Sequence, residues 1–198
     1  LGLESNKIVC EVPRMGGAFG GKESQATNFA CIAALAAQRT GRSVKVWLNR
    51  DMDMTVTGKR HPFLSTYKAG FDSEGLLVAF EANVTCDGGW SLDLSGPIVD
   101  RALFHLDNAY YIEHLRFEGR IARTNTPSNT AFRGFGGPQG MLVVEDAINR
   151  YSELMSCDPA IVRHRNLYGE APRDKAPYGQ TIKHNRLPRI YEELMDSS

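Results

Sequence analysis

Gly16-Gly17-Ala18-Phe19-Gly20-Gly21-Lys22-Glu23 stands between a β-like run and a segment with helical spacing. Ahead of it, Ile8-Val9-Cys10-Glu11-Val12 is branched, alternating and closed by Pro13, which predicts a short strand over residues 7–12. Behind it, Ala26, Phe29, Ala30, Ala33 and Ala37 fall on one helical face and Gly41 supplies a stop. The spacing predicts a helix over residues 22–39, and its small alanines predict close packing against a neighbouring helix or sheet. The loop itself nearly matches the phosphate cradle G-x-x-x-x-G-K-[ST], but Glu23 stands where a hydroxyl would hold Mg²⁺. A carboxylate there would also occupy the positive dipole end of the helix that a phosphate seeks. A nucleotide-binding module is therefore the weaker reading. Two others stay open: a connector plugged by Phe19, or a loop whose glycines let the backbone approach a bulky, electronegative ligand.

A second loop of the same kind lies further on. Asn129-Thr130-Ala131-Phe132-Arg133-Gly134-Phe135-Gly136-Gly137-Pro138-Gln139 alternates Phe and Gly ahead of another helical pattern. That helix is predicted over residues 141–155, with Leu142, Val143, Ala147, Ile148, Tyr151 and Leu154 as its apolar stripe. Each loop offers backbone donors and an aromatic wall, which suits a flat ring held beside an anionic centre. Arg133, set between two Phe residues, is either a surface cation or part of such a wall.

Between and beyond the loops the chain mixes element types. Residues 43–48 alternate and read as a strand. Residues 66–71 and 76–85 read as a hairpin joined through Asp72-Ser73-Glu74-Gly75. Residues 87–108 read as irregular, 115–123 as a strand, and Asp158-Pro159 as the start of a helix through Asn166. Residues 169–185 are loop-like, and 187–195 predict a last helix. The fold class is therefore α+β, mixed strands and helices without regular βαβ alternation.

Composition narrows the partners. The 198 residues are 42% hydrophobic and 23% charged, with zero formal net charge and no run of one sign. Nothing in that balance predicts a hold on nucleic acid or an anionic membrane, and no apolar stretch approaches the length of a membrane span. Cys10, Cys31, Cys86 and Cys157 form no C-x-x-C pair and fit neither a zinc site nor an iron–sulfur cluster. They read as reduced cytosolic thiols, each buried and structural. The opening on Leu1 and the abrupt end read as cuts through a longer protein.

The two loops, from Arg14 to Glu23 and from Thr130 to Gln139, resemble the signature loops of the xanthine dehydrogenase and aldehyde oxidase family of molybdenum hydroxylases. Gly58-Lys59-Arg60-His61-Pro62-Phe63 and Asp100-Arg101-Ala102-Leu103-Phe104-His105 match that family in order and separation. The likeness covers nearly the whole chain and weakens after about Gly169. Ala18 stands where the family often has Gly, a small change.

The resemblance implies that residues 1–198 are a fragment of the molybdenum-cofactor and substrate-binding domain. It implies that the backbone at Phe19 and at Arg133 lies near a molybdenum–molybdopterin centre. Glu23 would hydrogen-bond a purine substrate, Arg101 would pair with a substrate oxygen where negative charge develops, and Phe135 would be one of two aromatic residues sandwiching the ring. Glu23 and Arg101 together favour the purine-oxidising branch over the aldehyde oxidases. On the residues alone, Glu23 is a first-turn acid and Arg101 a solvated charge.

The parent would carry two [2Fe-2S] clusters and FAD ahead of this piece, with NAD as acceptor. Its general base would lie beyond Ser198. The fragment alone would be inactive. The parent would be a homodimer, cytoplasmic or peroxisomal.

Overall fold

The computed structural model describes residues 1–197. The described residues form two compact units: Leu1–Pro62, Asp87–Pro97 and Ile121–Gly134 make the first, and Phe63–Cys86, Ile98–Arg120 and the residues from Phe135 onward the second. Helices and strands are mixed as the sequence predicts.

The second unit is built on the predicted hairpin. Strands β1 (Phe63–Phe71) and β2 (Leu77–Gly89) pair antiparallel from Phe63↔Cys86 to Phe71↔Leu77, with a register shift at Gly70/Phe71. The Asp72 carboxylate accepts from the N–H groups of Glu74 and Leu76, each at 2.9 Å, and so fixes the turn. Strand β3 (His114–Arg123) completes a sheet of order β1-β2-β3.

Along β2, Phe80, Ala82, Val84 and Cys86 alternate to the buried face. Helix α4 (Gly137–Met155) buries Val143, Val144, Ala147 and Ile148, in one apolar core with β2, Leu106 and Val162 of α5 (Pro159–Asn166). Full burial of each Val, Leu, Ile or Phe side chain is worth about 1.5–3 kcal/mol before chain entropy is charged against it. Two members of the predicted stripe are not in that core: Leu142 and Leu154 are 68% and 84% exposed. Leu142 falls off the buried arc, which carries Val144 instead, and Leu154 sits in the last turn, past the core.

One buried polar side chain holds α5 to the hairpin. Asn166, 1% exposed, accepts from Leu77 N–H at 2.7 Å and donates to the carbonyls of Gly75 and Val162 at 2.9 and 2.8 Å. Helix α6 (Leu187–Asp196) lies where the pattern predicts it.

Helix α3 (Ser95–Phe104) occupies the stretch read as irregular. Gly96-Pro97 looks like a breaker, yet Pro at a helix start costs no hydrogen bond because the first N–H groups are unpaired anyway. Helix α2 (Arg50–Val56) was also not predicted. Its start is capped by Asn49, whose side-chain oxygen accepts from Met52 N–H at 2.8 Å.

In the first unit, α1 (Ala26–Thr40) starts later than the pattern suggests and stops at left-handed Gly41 as predicted. None of residues 1–60 is buried. The predicted face of α1 is only partly buried, at Phe29, Ala30, Ala33 and Ala37, and residues 7–12 and 43–48 form no strand. A strand needs a second segment to pair its N–H and C=O groups, and among the described residues none forms a ladder with either.

The residues this unit does bury are mostly polar: His61, Ser95, Ser128, Asn129 and Thr130, beside Ala131. All four cysteines are free, but only Cys86 is buried; Cys10, Cys31 and Cys157 are exposed, against expectation. Among the described residues, no helix is long and apolar enough to cross a membrane.

Candidate functional site

Within the first unit the two glycine loops touch. Arg133 N–H donates to the Phe19 carbonyl at 2.9 Å. Gly20 adopts a φ of 99°, and a Cβ there would sit 2.6 Å from the Ala131 carbonyl oxygen. Only glycine permits that approach. The Arg133 guanidinium lies 5.7 Å from the centre of the Phe19 ring. Arg60 sits 4.3 Å from the Phe132 ring centre, and its Nη2 donates to the Arg133 carbonyl at 2.6 Å. The loops thus form one assembly in which two cations stand over two aromatic rings.

The polar groups left over suit an anionic, oxygen-rich group. Phe19 is 57% exposed, and the N–H groups of Phe19, Gly20 and Gly21 donate to no acceptor among the described residues. Free N–H groups in a run of left-handed glycines, beside the exposed Arg133 side chain, are donors aimed at electron density. The residues present therefore fit a molybdopterin-type group. The backbone amide of Arg133 is committed to Phe19, so its side chain is the part free to act outward.

Glu23 is exposed and lies ahead of α1, not in its first turn. Its Oε2 accepts from Lys22 N–H at 2.9 Å. That bond takes up one of the N–H groups a phosphate cradle would need, a second mark against nucleotide binding.

Beneath the loops lies a hydrogen-bonded cluster that the sequence reading did not single out. Asp93, at a left-handed φ of 43°, accepts at Oδ2 from Ser24 Oγ (2.6 Å) and Gln25 Nε2 (2.9 Å). At Oδ1 it accepts from Thr130 Oγ1 and Leu94 N–H, both at 2.7 Å. Burial pushes its carboxyl pKa up, but the four hydrogen bonds outweigh burial and the net shift is down. Gln25 Oε1 in turn accepts from Gly58 N–H at 2.9 Å, and Asn129 donates to the Asp87 carbonyl at 2.9 Å. Buried His61 pairs with Ser95 Oγ at 2.7 Å; desolvation lowers its pKa despite the nearby Asp93. Asp93 sits in Ser91-Leu92-Asp93-Leu94-Ser95, which has no periodicity or motif to flag it.

The other two predicted residues belong to the second unit. Arg101 is an exposed residue of α3, and Phe135, partly buried, immediately precedes Gly136, the cap of α4. A Cβ on Gly136 would lie 2.1 Å from the Ile98 carbonyl oxygen, and one on Gly140 would lie 2.2 Å from that of Ala102. The first turn of α4 thus rests directly on the α3 backbone, on either side of Arg101 in sequence. Phe135 itself takes a φ of 51°, a conformation that costs a non-glycine residue about 1–2 kcal/mol. The groove lined by Leu64, Thr66, Asn83 and Arg120 on the strand surface includes none of the five predicted residues.

Comparison with known proteins bears out the resemblance. The molybdopterin cofactor-binding domain family matches residues 1–167. Xanthine dehydrogenase/oxidase of Mus musculus is 48% identical over 198 residues, all of this chain and 15% of that protein. Xanthine dehydrogenase of Dictyostelium discoideum is 41% identical over the same 198 residues, 14% of its length. Among solved structures, the aldehyde oxidoreductase of Desulfovibrio gigas superposes with a TM-score of 0.81 at 32% identity, over 92% of this chain and 20% of that one. A quinoline 2-oxidoreductase from Pseudomonas putida 86, at 22% identity and a TM-score of 0.77, shares the fold. The chain spans about one seventh of the length of the curated relatives it matches. With its two glycine loops in contact and a family match over residues 1–167, the chain belongs to the molybdopterin cofactor-binding domain family.

Proposed function

We propose that this chain forms part of the substrate and molybdenum pocket of a xanthine dehydrogenase-type molybdenum hydroxylase, one that oxidises hypoxanthine to xanthine and xanthine to urate. The observation that carries the reading is the 41–48% identity to xanthine dehydrogenases over the full chain, with Glu23 and Arg101 both in place. In this reading Phe19 and Arg133 hold the molybdenum–molybdopterin. When bound, that group supplies the oxygen delivered to an electron-poor ring carbon and takes up the substrate's electrons.

The chain's own residues bind and polarise. Glu23 hydrogen-bonds ring nitrogens or carbonyls of the purine, accepting or donating according to protonation. Phe135 stacks on the ring. Arg101 stands as a fixed cation where negative charge grows on a substrate oxygen, a contact that strengthens toward the transition state. The longer protein supplies the general base, two [2Fe-2S] clusters and FAD, passes electrons to NAD, and is a homodimer of the cytoplasm or peroxisome. The isolated 198 residues should therefore show no turnover of xanthine and bind little molybdenum; steady turnover with metal present would overturn the reading.

The decisive test uses the full-length protein. Charge-assisted hydrogen bonds are typically worth about 1.5–3 kcal/mol, so Glu23→Val and Arg101→Met should each lower kcat/KM for xanthine by about 10- to 100-fold. The loss at Arg101 should appear mainly in kcat. Both variants should keep or improve kcat/KM for benzaldehyde, since fewer polar groups are left unpaired by that substrate. Equal losses on both substrates would assign these residues to the fold or the cofactor, and aldehyde oxidation would become the better reading. Calorimetry with ATP and Mg²⁺ should show no binding; micromolar binding lost in Lys22→Ala would restore the nucleotide module.

A further inference from the structure

We propose that Asp93 is a positioning residue, a clamp that locks the segment following the first glycine loop to the second glycine loop and so holds Phe19 and Arg133 in register for the cofactor. This rests on the reading of the loops as molybdopterin contacts. The geometry is that of a two-sided fastener. One carboxylate oxygen receives Ser24 and Gln25, which directly follow the loop bearing Phe19 and Glu23; the other receives Thr130, three residues before Arg133. The two loops otherwise meet through one backbone hydrogen bond, from Arg133 to Phe19, the Arg133 guanidinium over the Phe19 ring, and the close approach at Gly20. Contacts between exposed loop residues fray easily, so the buried side of the assembly must set the spacing.

All four groups facing Asp93 are donors, which makes the site specific for an ionised carboxylate. The hydroxyls of Ser24 and Thr130 could turn round and accept, but Gln25 Nε2 and Leu94 N–H cannot. Gln25 cannot flip its amide either, because its Oε1 is held by Gly58 N–H. In Asp93→Asn the new amide nitrogen would therefore oppose an N–H whichever way it points. Asn tolerates the left-handed backbone at this position, so the substitution changes the hydrogen bonding and leaves the turn intact.

The experiment compares wild type, Asp93→Asn, Thr130→Val and Thr130→Ser in the full-length protein. Hydrogen–deuterium exchange should accelerate about tenfold at residues 17–25 and 129–135 together in Asp93→Asn and in Thr130→Val, the factor expected for one lost hydrogen bond. Thr130→Ser, which keeps the hydroxyl, should exchange like wild type. Molybdenum content by mass spectrometry should fall in the first two variants, and kcat per molybdenum should fall about tenfold with KM little changed. FAD and iron content should stay at wild-type levels, which separates lost positioning from general misfolding. Unchanged exchange, molybdenum content and kcat in Asp93→Asn would overturn the clamp. If Asp93→Asn does not accumulate, the Thr130 pair decides: a loss specific to Val supports the proposal, and equal behaviour of Val and Ser overturns it. Wild-type protein without molybdenum would instead overturn the cofactor reading, and the exchange measurement would still judge the clamp.

Discussion

In the second unit, Phe80, Val84, Val144 and Ile148 are at most 1% exposed and share one apolar core. In the first unit the most deeply buried side chains are His61, Ser95 and Thr130, each 2% exposed or less, and each is hydrogen-bonded. Apolar burial is non-directional: it rewards total area and tolerates small shifts. A satisfied polar cluster is directional, and each missing partner leaves a desolvated group behind. The difference teaches where precision lies. The unit with the hydrocarbon core holds its own hairpin and helices by apolar packing, whereas the polar core of the other unit, in the proposed clamp, fixes the distance between two exposed loops.

The largest expected effect tests the apolar packing. Ile148→Ala should destabilise the protein by about 2–5 kcal/mol, the transfer loss plus the cavity, measured by urea unfolding. A loss below about 1 kcal/mol would mean that the core repacks freely and is not what holds the unit. Next comes an ionic contact at that core's edge. Glu145 accepts from Tyr110 Oη (2.5 Å), Asn108 Nδ2 (2.9 Å) and Arg163 Nε (2.8 Å). Glu145→Gln should cost about 1–3 kcal/mol, because an amide nitrogen then faces donors. Tyr110→Phe should cost less than Glu145→Gln; the reverse order would shift the weight to the phenol.

The two units should also fail at opposite ends of the pH scale. Burial and a 2.7 Å hydrogen bond to Asp146 push Tyr67 of the second unit up to about 12. A raised folded value means the contribution is complete below the ordinary phenol pKa, near 10, and is lost as pH rises toward about 12. Tyr67→Phe should flatten the alkaline fall in Tm over that range. Asp93 of the first unit is shifted down, so its contribution is present above the ordinary carboxylate value and is lost as pH falls through the lowered one. Protection of residues 129–135 against exchange, taken relative to the intrinsic amide rate at each pH, should therefore fall in acid, and Asp93→Asn should abolish that dependence. The smallest effect belongs to the exposed N-terminal stretch. Val9 is 82% exposed, so Val9→Ser should change the stability of this chain by about 0.5 kcal/mol or less.

The same contrast explains what could be read from residues alone. Asp72-Ser73-Glu74-Gly75, the stripe from Val143 to Ile148 and the Asp158-Pro159 cap announce themselves because their partners are a few residues away or on the same face. Residues 7–12 and 43–48 carry strand periodicity without a strand, since alternation reports a preference and a ladder requires a partner. Helix α3 hid behind Gly96-Pro97, although Ile98, Val99, Ala102 and Leu106 have helical spacing and are all buried. Phe19, Arg133 and the other predicted site residues rest on family resemblance, not on chemistry that the chain displays locally. Asp93 escaped because its meaning lies in Ser24, Gln25 and Thr130, and no local pattern links them.

The reach of those hydrogen bonds along the chain has a kinetic consequence. Ser24 and Asp93 are 69 residues apart, and Gln25 reaches Ser128 across 103, whereas the β1–β2 hairpin closes over a turn of a few residues. Closing a long loop adds little to the equilibrium cost but delays the contact, because chain entropy must be lost before the bond repays it. The hairpin and its helices should therefore form in the folding transition state, and the polar cluster after it. Weakening the cluster should then leave the refolding rate nearly unchanged and speed unfolding. The glycine loops would be the last part of the chain to take shape and the first to let go.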